Sequence, residues 1–128
     1  MEELTLNVNW IAVIAGTVAG FLLGWLWYSP KLFGVKWAQG SGVELSDGSS
    51  MPVPAMVTQL VATFLLSWLV GITAANEALA TIILIILALV CFTVSTGLFV
   101  KKSSYAVGAD AGFIIVMGII MIALQGLL

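Results

Sequence analysis

Residues 8–28 read VNWIAVIAGTVAGFLLGWLWY, an unbroken run without one Asp, Glu, Lys or Arg. A helix needs about 20 mainly apolar residues to cross a hydrocarbon core of about 30 Å. This run meets that need. Glu2 and Glu3 precede it, where a secretory signal would carry positive charge, and no small-residue cleavage site follows. The run is therefore expected to stay as a membrane anchor. Further along the chain, residues 54–74, 78–100 and 110–128 form three comparable stretches. The last is roughly 27 Å long at about 1.5 Å per residue. The expected fold is an all-α integral membrane domain over residues 1–128. It is a bundle of four transmembrane helices with a short interfacial helix after the first span.

Composition agrees. The chain has 128 residues, of which 62% are hydrophobic and 8% charged, and its mean hydropathy is +1.20. A soluble domain carries about 25% charged residues. A pI of 4.7 with only four Lys or Arg makes nucleic acid an unexpected partner. There is no His, and Cys91 is the single Cys. Zinc, copper and haem sites draw mainly on those two residues, so neither metal nor cofactor is expected. A Ser-His-Asp or Cys-His catalytic set is excluded for the same reason. Cys91 reads as a small buried hydrophobe. An enzyme is not expected.

The charges orient the spans. Lys31 and Lys36 follow the first, and Lys101 and Lys102 follow the third, so all four fall on one side. Glu2, Glu3 and Glu77 fall on the other. The positive-inside rule then puts the 29–53 and 101–109 loops in the cytoplasm and both termini outside, in a multi-pass cell-membrane protein.

The connections have their own chemistry. Asn76 is expected to cap the third span, with Glu77 in its first turn, which makes a tight hairpin. Ser29 and Pro30 close the first span and are expected to start a short helix over residues 31–38. Phe33 and Trp37 would share one face of it, flat in the membrane interface. Gly40-Ser41-Gly42 would end it. The Gly- and Ser-rich stretch to Ser50 reads as a flexible loop, and Pro52 and Pro54 reset the chain before the second span.

Four features could carry function. Gly16, Gly20 and Gly24 stand four apart on one face of the first span, with Gly108-xxx-Gly112 as a weaker second instance. Such a line lets another helix approach closely, either within the bundle or as a glycine-zipper seam between copies of the chain. Gln59, Thr63 and Ser67 make a polar stripe on the second span. It reads as interhelical hydrogen bonding, or as the lining of a proton, ion or solute path. Asp110 is the one acid that could lie at membrane depth. With a helix starting near Ala106 it would sit about 6 Å inside, a functional candidate by position. With the span starting at Asp110 it is a helix cap, and Lys101 or Lys102 could neutralise it. Trp25, Trp27, Tyr28, Phe33 and Trp37 gather at one membrane face, as an interfacial belt or as a groove for an apolar tail.

Asn9-Trp10, Trp27-Tyr28-Ser29-Pro30, Phe33-Gly34, Trp37, Asp110-Ala111-Gly112-Phe113 and Met117-Gly118 together resemble the DUF1761 family of small prokaryotic membrane proteins with about four spans. The resemblance covers most of the chain and is most specific in the first forty residues. In those proteins an aromatic residue and a His follow the Asp-Ala-Gly. Here Phe113 and Ile114 stand there, so no role for that His carries over. The family has no established activity. The resemblance implies a fold, a membrane address and a prokaryotic source, and it singles out Trp27, Tyr28, Ser29, Pro30 and Asp110.

The function expected from these readings is a non-enzymatic membrane protein. It would self-associate or act as an accessory subunit of a larger membrane complex, with the lipid bilayer as its surroundings. The alternative is a small oligomeric transporter or channel for protons, ions or a small solute, using Gln59, Thr63, Ser67 and Asp110.

Overall fold

The computed structural model describes residues 2–43 and 53–128. Among these, five α-helices follow a short 3-10 turn at Glu2–Leu4: α1 Trp10–Trp27, α2 Gly34–Ser41, α3 Val53–Ala75, α4 Leu79–Phe99 and α5 Ser104–Leu127. Four of them, α1, α3, α4 and α5, are long and apolar enough to cross a membrane. The flexible loop expected up to Ser50, and Pro52 after it, fall mostly on residues 44–52, outside the described residues.

The α5 helix is the hub. It packs against all the other helices, while α1 lies against both α3 and α5, and α4 leans on α5 and α3. The shared core is Leu66 and Val70 from α3, Ile82 and Ile86 from α4, and Phe113, Met117 and Met121 from α5. In lipid such packing is driven by close contact and interhelical hydrogen bonds rather than by apolar burial. The glycine line on α1 supplies the close contact. A Cβ on Gly20 would come 2.9 Å from Thr63 Cγ2 and 3.1 Å from Met117 Sδ, and one on Gly24 would come 3.1 Å from the Phe113 ring. One on Gly16 would run into Ser67 Oγ. That hydroxyl donates across the interface to the Val13 carbonyl at 2.7 Å. All three glycines are thus taken up by helices of the same chain.

Several boundaries differ from the sequence expectation, each for a local reason. The hairpin between α3 and α4 is tight, but Asn76 does not cap α4. Its amide donates back to the Ile72 carbonyl at 2.8 Å and closes α3. Glu77 takes φ 53, outside any helical turn, and α4 starts at Leu79 with no side-chain cap. The short helix starts three residues later than expected. Ser29 closes α1 by donating to Leu26 O at 2.7 Å, and residues 29–33 form turns in which Phe33 N donates to Trp27 O and Gly34 N to Ser29 O. Gly42 then ends α2 with φ 72, a left-handed conformation that glycine adopts without strain.

The α5 helix starts six residues before Asp110, because Ser103 is its cap: Ser103 Oγ accepts from Ala106 N at 3.1 Å. Cys91 is exposed, not buried. It lies on the outer side of α4, beside Phe92, which is 74% exposed.

Candidate functional site

Because Ser103 caps α5, Asp110 is not a cap but an interior residue. It stands about 9 Å along the helix from Ser104. A carboxylate there needs partners, since an unpaired charge away from water is very costly. It has three. Tyr28 Oη donates to Asp110 Oδ1 at 2.6 Å, and Trp37 Nε1 donates to the same oxygen at 2.9 Å. Lys102 Nζ reaches Oδ2 at 2.9 Å. The Lys102 and Asp110 side chains are 24% and 15% exposed, so the ion pair is largely withdrawn from solvent. The Lys102 ammonium also sits 5.6 Å from the Trp37 ring centroid, a cation–π distance.

Each donor arrives on a different piece of local structure. Tyr28 is the residue on which α1 ends. Trp37 is on α2, and Lys102 is in the turn between α4 and α5, where Lys101 takes φ 61 and Lys102 N closes on Gly97 O. One carboxylate therefore ties the end of α1, the α2 helix and the α4–α5 turn to α5.

The surrounding residues fix this geometry. Trp27 Nε1 donates to the Ala109 carbonyl at 3.0 Å. Its indole fits because residue 112 is glycine: a Cβ there would stand 3.2 Å from the ring. Phe33 meets Trp27 at a tilt with centroids 4.7 Å apart, and Tyr28 meets Trp37 at 4.9 Å and Phe113 at 5.5 Å. Gly34 lies so close to the Tyr28 and Ser29 carbonyls that a Cβ would collide with backbone. On the far side of Phe33, Lys36 lies 5.3 Å over the Tyr105 ring. The Trp-Tyr-Ser-Pro segment, Phe33-Gly34, Trp37 and the Asp-Ala-Gly-Phe segment are the parts of a single construction.

Beside this cluster runs a groove of about 540 Å³, walled by α3 and α4 and floored by α5. Gln59, Thr63, Asp110 and Tyr28 all line it. Ser67 does not, being turned onto Val13 in the glycine seam. Thr63 is buried and gives its hydroxyl to the Gln59 carbonyl of its own helix at 2.6 Å. Trp25 stands apart from the other four aromatic residues, 68% exposed on the outer side of α1.

Sequence reasoning treated the aromatic group and Asp110 as separate features and missed Trp37 and Tyr28 as ligands of the carboxylate. A usable signal was present. Indole and phenol are hydrogen-bond donors, three of them lie between Trp27 and Trp37, and one membrane-depth acid lacked donors. As for a metal, no group of three His, Cys, Asp or Glu comes together among the described residues, and the oxygens of Asp110 face Tyr28, Trp37 and Lys102.

Comparison with known families matches residues 11–126 to the model of DUF1761, described as a protein of unknown function. No curated protein and no solved structure matches the chain.

Proposed function

The chain belongs to the DUF1761 family, and from that premise we propose that this multi-pass membrane protein is non-enzymatic and serves as a structural or accessory subunit of a membrane assembly. One observation carries the reading. Asp110, the one acid inside the four span-length helices among the described residues, accepts from Tyr28 and Trp37 on Oδ1 and from Lys102 on Oδ2, which suits a group that locks helices together.

Self-association belongs to the same proposal, with one change. The glycine face of α1 is filled from within, so a second copy would dock elsewhere. The outward face of α4, with Phe92 and Phe99 at 74% and 84% exposure, is available. Orientation is proposed from the lysines: the Asp110 cluster faces the cytoplasm and both termini lie outside.

Extraction of native membranes into polymer-bounded lipid discs, followed by mass measurement, tests this. The expected particle holds more protein than one 13.5 kDa chain, as a homo-oligomer or with a stoichiometric partner. A particle with a single chain and no partner would overturn the proposal.

Transport is the second reading, supported by Gln59, Thr63 and Asp110 sharing one groove. Proton or ion flux into liposomes that the wild type supports and Asp110→Asn abolishes would favour transport over the accessory role.

A further inference from the structure

The groove between α3 and α4 is polar at one end only. Gln59 lies near the start of α3, Thr93 near the end of α4, and Tyr28 and Asp110 stand at that same end. Toward the α3–α4 hairpin the lining is aliphatic, from Leu66 to Leu69 and Ile85. Along α3 the lined stretch from Gln59 to Leu69 is about 15 Å long. Its volume of about 540 Å³ falls inside the range of about 300–1,000 Å³ typical of ligand sites.

The charge at the polar end selects the head group. Asp110 and Lys102 cancel each other at 2.9 Å, so the end is polar but uncharged overall. A cationic head would compete with Lys102 for Asp110. An anionic head would be set against the carboxylate, with the nearest cation already paired. Oδ2 of Asp110 accepts only from Lys102 among the described residues, which leaves a lone pair for a hydroxyl donor. Gln59 and Thr93 line the same groove and add polar atoms to it.

We propose that this groove binds one uncharged, hydroxyl-bearing amphiphile taken from the bilayer, its head at Asp110 and its single chain lying between α3 and α4. The site is independent of the accessory role: it needs no partner chain.

The probe is a monoacylglycerol with a photoreactive diazirine in mid-chain, added to the protein in phosphatidylcholine discs, with crosslinks mapped by peptide mass spectrometry. Labelling is expected to concentrate at Leu66 and Leu89. Unlabelled monoacylglycerol should suppress it, whereas phosphatidylglycerol and an alkyltrimethylammonium should not. Ala62→Trp, which fills the groove from α3, should lower labelling about tenfold, the loss matching about 1.4 kcal/mol. Leu89→Trp should do the same from the α4 wall, and circular dichroism shows which variant keeps its helices. Labelling spread evenly onto the outward Phe92 and Phe99 would overturn the site. So would suppression by either charged amphiphile, or undiminished labelling in a folded groove-filling variant. The competition arm uses only the wild type and holds even where both variants misfold.

Discussion

Asp110→Ala is expected to destabilise the bundle by about 3 kcal/mol, the lower end of the cost of removing one partner from a buried ion pair. The lower end applies because Lys102 and Asp110 keep 24% and 15% of their side-chain exposure. The loss has three parts. Lys102 is left without its counter-ion, and Tyr28 Oη and Trp37 Nε1 are left without their acceptor. Unmaking hydrogen bonds to a charged group costs about 1.5–3 kcal/mol where the donors find no other partner.

Asp110→Asn should fall between wild type and Asp110→Ala. Its carbonyl can still accept from Tyr28 and Trp37, but its amide faces the Lys102 ammonium. Lys102→Met combined with Asp110→Leu should recover part of the loss, because a matched apolar pair leaves no orphan charge. Unfolding in mixed micelles, followed by tryptophan emission, measures all of these. A loss below about 0.5 kcal/mol for Asp110→Ala, the usual effect of a surface substitution, would show that the clamp does not hold the bundle.

Gly20→Leu is expected to cost about 1–3 kcal/mol or more by overpacking. Its Cβ alone would stand 2.9 Å from Thr63 Cγ2, with Met117 Sδ and Met121 Cε both at 3.1 Å. The methionines are flexible and can yield, but Thr63 is buried with its hydroxyl tied to its own helix and cannot. Three more carbons have no room without moving α3 from α1. Gly108 is the control, since a Cβ there meets nothing within 4 Å. Gly108→Leu should stay within about 0.5 kcal/mol of wild type. The same unfolding assay reads both. A Gly20→Leu protein of unchanged stability that has lost an oligomer would move the glycine face from the inside of the bundle to its outside.

The spans were legible because a long uncharged run has few alternatives to a membrane helix. Their ends were less so. Asp110 is a good cap residue, and so is Ser103. Both readings give a span of adequate length, and only the observed bond from Ala106 N to Ser103 Oγ separates them. Asn76 has the chemistry to start a helix or to close one, and the reversal of the chain at Glu77 decides for closing α3. The glycine line told that something comes close, but not what. Thr63, Ser67, Met117 and Phe113 fill it from helices distant in sequence. The site was the least legible part. Its parts were named, but their meeting depends on pairing α1 and α2 with α5 across 82 and 73 residues. No local pattern specifies that pairing. It follows once α1 packs on α5 through its glycines, which brings Trp27 over Gly112 and Tyr28 over Asp110.

The most direct test is a double-mutant cycle between Trp37→Phe and Asp110→Asn, by reversible unfolding in micelles. The two residues are bonded at 2.9 Å across the α2–α5 interface, so their effects should couple by about 1 kcal/mol or more, with the double variant less damaged than the sum of the singles. Effects that add to within about 0.3–0.5 kcal/mol, as independent sites do, would contradict the claim that Asp110 gathers these helices into one site.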